Sequence, residues 1–224
     1  MESMEAYKET IEFWDDVFHE EMDFDKDEPI SIEEIEDGLR WLAEGSSSLI
    51  DFGCGNGKLV LRCSTFGVDR SVGIDISFKA ISTAEELARD NDLSEKSFFR
   101  TGGISSLSDF EEDEFDGGII SNVLDNLLPD DGRRLLNEYH RIIKPGGKVL
   151  LKLNDHIQPE TLEGWGAEEI SDGFYKEETG LYFWNLTDED VERLLSSHFE
   201  IQEEVRVEFK EHDQFNRLYY LVNR

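Results

Sequence analysis

The feature that most constrains this chain is a glycine-rich turn that joins a short apolar segment to a segment with helical periodicity. Its residues are Leu49-Ile50-Asp51-Phe52-Gly53-Cys54-Gly55-Asn56-Gly57. Glycine has no Cβ, so it permits a tight turn and lets a ligand approach the main chain closely. In an open parallel sheet, such a turn lies at the carboxyl ends of the strands, where ligands bind. The turn therefore predicts an α/β fold with a binding crevice beside it.

Strand-like and helix-like segments alternate along the chain from this turn onward. The predicted parallel strands are Ser48–Phe52, Ser71–Asp75, Ser97–Arg100, Phe115–Ser121 and Lys148–Leu153. The predicted helices are Lys58–Phe66, Phe78–Asn91, one that Asp130 or Asp131 caps and that ends near Ile143, and Asp188–Ser197. The segments Phe199–Phe209 and Gln214–Val222 alternate apolar and polar residues, which is typical of an antiparallel pair. The pattern predicts an α/β, Rossmann-like, doubly wound and mostly parallel sheet with a C-terminal antiparallel hairpin and N-terminal helices.

These elements fit one domain, because 224 residues are enough for a single substantial core. We expect residues 1–45 to form a helical cap, 46–155 the cofactor-binding core, 156–186 an insertion or lid, and 187–224 a C-terminal helix and hairpin. The segment Gln158–Asn185 is rich in aromatic residues, so it would be either a lid over the substrate or a small β-extension with its own core.

Composition narrows the classes of partner. The chain has 53 acidic and 22 basic residues, and its formal net charge of -31 argues against binding to nucleic acid or to anionic membranes. No apolar run approaches the roughly 20 residues of a membrane span. The two cysteines form no disulfide framework and no signal peptide is evident, so we expect a reduced, cytoplasmic protein. The five histidines are scattered, and no spacing predicts a metal site.

The glycine spacing discriminates between cofactors. A dinucleotide fingerprint has its third glycine three positions after the second, whereas Gly57 follows Gly55 by two. Asp51 would place negative charge near the pyrophosphate of a dinucleotide, which this charge would not stabilise. The same charge would stabilise a cofactor that carries a positive sulfonium and an amino group. Asp75 closes the next predicted strand, where a carboxylate can accept both hydroxyls of a ribose.

With these residues in view, the chain resembles the class I S-adenosylmethionine-dependent methyltransferases. The segment Asp51–Gly57 matches the first motif of the family, and Asp75 matches the acid that follows it. The segment Phe115–Leu124 resembles the motif of the fourth strand. The segment Leu135–Leu151, with its Lys144-Pro145-Gly146-Gly147 turn, resembles the helix, turn and strand that come next.

The resemblance implies S-adenosyl-L-methionine as the cofactor and S-adenosyl-L-homocysteine as its product. It places the cofactor on Asp51, Gly53, Cys54, Gly55, Asn56, Gly57, Asp75, Ile76, Gly103, Ile104, Ser121 and Asn122. Asp51 and the loop backbone would hold the methionine end, Asp75 the ribose and Ile76 the adenine. Ser121 and Asn122 would lie near the reacting methyl group. Where the family often has an acid for the adenine amino group, this chain has Gly103, so the backbone of Gly103 and Ile104 would hold the adenine.

The acceptor is the least constrained part of this interpretation. We expect a small molecule that is methylated on oxygen or nitrogen, and an acid-rimmed aromatic mouth would suit a cationic or aromatic one. His156, just after the fifth strand, is the candidate for a catalytic base. Two alternatives stay open: a non-catalytic module that binds S-adenosylmethionine, and a protein methyltransferase with a basic partner. The sequence does not predict an oligomeric state.

Overall fold

The computed structural model describes residues 6–18, 23–209 and 214–224. Within these ranges, the strands in chain order are β1 (Ser48–Phe52), β2 (Arg70–Asp75), β3 (Ser97–Thr101), β4 (Phe115–Ser121), β5 (Ile143–Asn154), β6 (Glu168–Ser171), β7 (Phe174–Lys176), β8 (Tyr182–Trp184), β9 (Phe199–Phe209) and β10 (Gln214–Asn223). The helices are α1 (Lys8–Val17), α2 (Glu33–Ala43), α3 (Lys58–Thr65), α4 (Phe78–Asp90), α5 (Pro129–Ile142), α6 (Pro159–Gly164) and α7 (Asp188–Leu195).

Seven of the strands form one mixed sheet in the order β3-β2-β1-β4-β5-β10-β9. The pairs among β1 to β5 are parallel, whereas β10 runs antiparallel to both β5 and β9. The strand order reverses beside β1, so the crevice of the sheet opens between β1 and β4. The sequence-based prediction of a Rossmann-like, mostly parallel sheet with a C-terminal antiparallel pair is confirmed. In the described part of the chain, no helix combines the length and the apolar character needed to cross a membrane.

Helix starts follow local chemistry. Ser77 caps α4 by accepting a hydrogen bond from the N–H of Ala80. Thr187 and Asp190 form a capping box at α7, as its sequence favours. The prediction that Asp130 or Asp131 caps α5 is wrong: the helix begins at Pro129, and both acids lie in its first turn. Proline suits a first helical position because the N–H that it lacks would have no partner inside the helix.

The fifth strand is longer than the sequence predicts. Phe115 of β4 lies opposite Ile143, but Gly117 lies opposite Lys148, so residues 144–147 loop out between two paired parts of β5. Gly146 has a φ of 78° in this excursion. The predicted strand Lys148–Leu153 is therefore the second part of β5, and the predicted turn interrupts the strand rather than preceding it.

One buried tyrosine ties α5 to the sheet directly beneath the crevice. The hydroxyl of Tyr139 donates to the carbonyl of Ile119 (2.6 Å) and accepts from the N–H of Phe52 (2.9 Å). Gly118 makes room for the ring, since a Cβ there would lie 2.7 Å from it. The tyrosine thus holds the ends of β1 and β4 in a fixed relation.

Residues 156–186 form a β-extension. Strands β6, β7 and β8 make a separate antiparallel sheet, and with α6 they enclose a small apolar cluster of Leu162, Ala167, Tyr175 and Phe183. Of the two interpretations that the sequence left open, this arrangement matches the small β-extension with its own core.

A buried ion pair joins α2 to α3 and fixes the segment between α1 and α2. The guanidinium of Arg62 donates to both carboxylate oxygens of Glu36 and also to the carbonyl of Lys26. Burial alone would raise the pKa of Glu36, but hydrogen bonds from Arg62 and from the N–H of Ile30, with the charge of Arg40, lower it. The pair therefore keeps its charges and holds residues 24–30 against the body of the domain.

We predict that Arg62→Met destabilises the protein by about 3–5 kcal/mol, because Glu36 would stay buried without its main partner. The matched control is Arg40→Met, which removes the second partner of the same carboxylate. Arg40 is 55% exposed, so this loss should stay below about 1 kcal/mol. Urea unfolding of the two variants measures the difference. Equal losses would contradict the role given to the buried pair.

Candidate functional site

A cavity of 570 Å³ opens at the carboxyl ends of β1, β2 and β4. The sequence-predicted residues that line it are Asp51, Gly53, Cys54, Gly55, Asn56, Asp75, Ile76, Gly103, Ile104, Ser121 and Asn122. Gly57 does not line it. This glycine has a φ of 76°, and a Cβ there would lie 2.6 Å from the ring of Phe99 and 3.0 Å from Ala84. Gly57 therefore serves the turn and its packing rather than the surface of the cavity.

The glycine turn uses its N–H groups inside the protein. The N–H groups of Gly53 and Cys54 donate to the carbonyl of Ile74 (2.7 and 3.0 Å), and that of Gly55 donates to a carboxylate oxygen of Asp75 (2.8 Å). These three N–H groups therefore already have partners in the protein. That the loop backbone at Gly53 and Gly55 holds the methionine end of a cofactor stays a prediction.

Asp75 braces the turn from the end of β2. One oxygen accepts from Gly55, and the other accepts from the N–H of Ser77 (2.8 Å). Burial raises the pKa of Asp75, although these backbone hydrogen bonds oppose the shift. Each oxygen of a carboxylate has more than one acceptor direction, so the side chain can also accept hydroxyl groups of a ligand in the cavity.

Asp51 is unusual because its side chain is buried but is not hydrogen-bonded to any described residue. It is 1% exposed, it lines the cavity, and neither carboxylate oxygen has a hydrogen-bond partner among the residues that the structure describes. Burial, with a smaller contribution from the charge of Asp75, raises its pKa well above the usual range. A buried carboxylate without a partner is costly. A ligand that brings positive charge and N–H donors would satisfy both oxygens.

Helix α1 and the residue at each of its ends form one wall of the cavity. Tyr7, Thr10, Trp14 and Phe18 recur at helical spacing and all line it. The Tyr7 hydroxyl donates to Asp131 on α5 (2.6 Å), which ties the start of the helix to the far side of the crevice.

The other end of α1 and its outer side are also attached. Asp15 accepts a hydrogen bond from the Ser77 hydroxyl (2.5 Å), and Glu9 pairs with Lys176 of the β-extension (2.7 Å). The β-extension contacts the helix in this way, but no described residue of 156–186 lines the cavity. The extension therefore supports the wall from outside.

A second wall comes from the segment before α2. Phe24, Pro29 and Ile30 line the cavity, with the acidic residues Asp23, Asp25 and Glu28 beside them. Asn91 holds this segment by donating to the carbonyl of Phe24 and by accepting from the N–H of Lys26, both at 3.0 Å. Because Arg62 of α3 holds the carbonyl of Lys26 as well, this wall is anchored by two side chains, that of Arg62 and that of Asn91 just after α4.

The turn after β4 lies beside the glycine turn, where Val123 packs on Gly53, and it forms another corner of the cavity. Asn122 has a φ of 52°, in the left-handed region that few residues other than glycine adopt. The side chain of Asn126 donates to its carbonyl (2.7 Å) and stabilises this turn. Asn122, Asn126, Leu127 and Asp131 all line the cavity here.

His156, the candidate base, lies outside the lining of the cavity. Its N–H donates to the side chain of Asp155, which pairs with Arg206 of β9. The described residues contain no group of histidine, cysteine and acidic side chains that could hold a metal ion.

Comparisons with known proteins point the same way as the geometry. A family model described as a methyltransferase domain matches residues 50–151. The ribosomal protein L11 methyltransferase of Photobacterium profundum is 28% identical over 137 residues, which are 59% of this chain and 43% of that protein. The chain thus spans less than half the length of the curated relatives that it matches.

Two solved structures share the fold. The N-methyltransferase NodS of Bradyrhizobium japonicum, with S-adenosylhomocysteine bound, has a TM-score of 0.70 at 17% identity and covers 96% of this chain and 99% of its own. The 1,6-didemethyltoxoflavin-N1-methyltransferase of Burkholderia thailandensis was solved with 1,6-didemethyltoxoflavin and S-adenosylhomocysteine bound. Its TM-score is 0.69 at 17% identity, and the match covers 86% of this chain and 79% of that enzyme. Residues 50–151 of this chain are accordingly similar to a methyltransferase domain, and the chain shares its fold with these two enzymes.

Proposed function

We propose that this protein transfers a methyl group from S-adenosylmethionine to a small-molecule acceptor. The observation that supports this most strongly is the buried, unpartnered carboxylate of Asp51 in the cavity beside the glycine turn. The methionine end of the cofactor carries an amino group and a positive sulfonium. It would supply the hydrogen-bond donors and the positive charge that the described residues do not give this carboxylate.

The remaining residues fit the rest of the cofactor. Asp75 would accept the ribose hydroxyls while it braces Gly55. Ile76, Gly103 and Ile104 line the part of the cavity next to Asp75 and would contact the adenine. Because Gly103 has no side chain, the adenine amino group would contact the main chain of Gly103.

When bound, S-adenosylmethionine supplies a methyl group on a sulfonium that a nucleophile can displace in line. The protein then has to orient the nucleophile and exclude water. Tyr7, Trp14 and Phe18 cover the cavity from one side, and Phe24 and Ile30 cover it from the other. These walls surround the reacting groups with largely apolar side chains.

The same walls favour a small acceptor. Helix α1 spans the cavity from Asp131 to Ser77, so a folded protein would have to displace it to present a side chain. A basic protein acceptor is the second candidate, because the chain carries a net charge of -31 and the relative above is named for a ribosomal protein. Acceptor binding that weakens steeply with salt would favour this second candidate.

The first test is calorimetric titration with S-adenosylmethionine and S-adenosylhomocysteine, with NAD as the control. We expect both sulfur compounds to bind and NAD not to bind, because the glycine spacing and Asp51 suit a cationic ligand. Binding of NAD alone would contradict the proposal. Tight binding of the cofactor without turnover of any acceptor would instead support a non-catalytic binding module.

We predict that Asp51→Asn weakens binding of S-adenosylmethionine about 10- to 100-fold, which corresponds to the loss of charged hydrogen bonds. The variant keeps the shape of the side chain and removes only its charge. Asp116→Asn is the matched control, since Asp116 is the second residue of β4, does not line the cavity and pairs with Lys144. Unchanged affinity in Asp51→Asn, measured by the same titration, would show that the carboxylate does not hold the cofactor.

The raised pKa of Asp51 also predicts a pH-dependent cost in stability without ligand. The folded state holds this proton more tightly than the unfolded chain, whose aspartates titrate near about pH 3.9. Stability is therefore lost as the pH rises above that value, by up to about 1.4 kcal/mol per pH unit, until Asp51 ionises in the folded state. An asparagine at position 51 does not titrate, so the Asp51→Asn variant would not show this pH-dependent loss of stability.

Asp51→Asn should consequently be more stable than the natural protein at pH 8, and the gap should narrow toward pH 4. Thermal unfolding of both proteins across this pH range, without ligand, measures the gap. A variant that is equally stable or less stable at every pH would refute the assignment of an unsatisfied buried carboxylate.

A further inference from the structure

The corner of the cavity after β4 contains a carboxylate that the cofactor interpretation does not use. Asp131 lies in the first turn of α5 and lines the cavity together with Asn122 and Asn126. Its carboxylate accepts a hydrogen bond from the hydroxyl of Tyr7 (2.6 Å). Because Asn122 follows β4 beside the crevice, this corner is a place where an acceptor could approach the methyl group.

The geometry of Tyr7 keeps Asp131 in position. The tyrosine is 8% exposed, and its hydroxyl accepts the N–H of Leu128 (3.1 Å) while it donates to Asp131. Burial first, and then the hydrogen bond to Asp131, raise the pKa of Tyr7, so the phenol stays protonated and remains a donor. Donation from a neutral phenol leaves the negative charge on Asp131.

The charges around the cavity argue against an anionic acceptor. The described lining includes six carboxylates, on Asp23, Asp25, Glu28, Asp51, Asp75 and Asp131. Lys58 is the only cationic side chain among the same lining residues. An acceptor with a carboxylate or phosphate near Asp131 would therefore meet repulsion.

We propose that Asp131, held by Tyr7, binds the nitrogen of a small amine acceptor; this proposal rests on the function proposed above. The lone pair of the neutral amine forms a bond to the methyl carbon as the carbon–sulfur bond breaks. The electron pair of that bond stays on sulfur, so the positive charge moves from sulfur to nitrogen. The N–H of the resulting ammonium donates to Asp131, and its surplus proton passes to water after release.

This charge movement explains why a carboxylate at this place accelerates the reaction. Positive charge appears on nitrogen only as the new bond forms, so Asp131 would stabilise the transition state more than the neutral amine. An alcohol acceptor would need a base to remove its proton. The described residues that line the cavity offer carboxylates but no histidine for this role, and a carboxylate is a weak base toward an alcohol, whereas a neutral amine needs no base.

The test measures formation of S-adenosylhomocysteine with a panel of small primary and secondary amines. Each amine is matched to an alcohol and a carboxylic acid with the same carbon skeleton. We expect turnover of amines only. Asp131→Asn should lower kcat/KM for the best amine about 10- to 100-fold, as expected for loss of a charged hydrogen bond. Its affinity for S-adenosylhomocysteine should stay unchanged, and thermal unfolding should verify its fold.

Asp130→Asn is the matched control, because it makes the same charge change one residue earlier. Asp130 has a side chain that is 99% exposed, pairs with Arg133 and does not line the cavity. Its kcat/KM should equal that of the natural protein. Tyr7→Phe, which removes only the positioning hydroxyl, should lower kcat/KM in the natural background. It should have little further effect when combined with Asp131→Asn, since the two residues act as one unit.

Three results would overturn the proposal. The first is turnover of alcohols or acids, or of no amine at all, by a protein that binds S-adenosylmethionine. The second is an Asp131→Asn variant with unchanged kcat/KM for the amine. The third is an equal loss of S-adenosylhomocysteine affinity in Asp131→Asn and Tyr7→Phe. That result would mean that the Tyr7–Asp131 hydrogen bond only holds α1 in place and that Asp131 does not contact the acceptor. A natural protein that binds neither sulfur compound would instead refute the proposed function.

Discussion

The site depends on one unfavourable arrangement: the carboxylate of Asp51 is buried near the end of β1 and has no hydrogen-bond partner among the described residues. Asp51 is held there because Phe52 and Ile50 on either side are part of the core, so the backbone cannot move it toward water. A buried charge of this kind is usually avoided. Its presence beside a cavity is best explained by a ligand that neutralises it.

The surrounding structure keeps this carboxylate accessible to a ligand and away from other donors. Asp75 takes the N–H of Gly55, and the carbonyl of Ile74 takes those of Gly53 and Cys54, so the turn does not donate to Asp51. Tyr139 locks β1 to β4 below the cavity. The frame is therefore preorganised, and binding of a cationic cofactor would not need the turn to rearrange.

Much of this frame was predictable from sequence, because it rests on short segments whose chemistry is local. The glycine turn, Asp75 at the end of β2 and the caps Ser77 and Thr187 each follow from neighbouring residues. The same local reasoning misplaced the start of α5, since it weighted the acids over Pro129. It also assigned Gly57 to the ligand, although its contacts with Phe99 depend on packing between elements.

The walls of the cavity could not be predicted in the same way. Tyr7 meets Asp131 across 124 positions of sequence, and neither residue belongs to a motif. The segment around Lys26 is held by Asn91 and Arg62, which are 65 and 36 positions away. Contacts of this kind are set by how α1 and the segment before α2 pack against the rest of the domain, so periodicity and spacing contain no signal for them. The residues proposed for the acceptor come from this part of the molecule.

Contact with the positive charge of the cofactor would lower the pKa of Asp51, which burial raises in the ligand-free protein, so that binding releases protons. Calorimetric titration of S-adenosylmethionine at one pH, in two buffers with different ionisation enthalpies, measures this release directly. We predict that protons are released on binding, up to one per site, and that Asp51→Asn abolishes the release. Binding with the same enthalpy in both buffers throughout the range from pH 5 to 8 would contradict it.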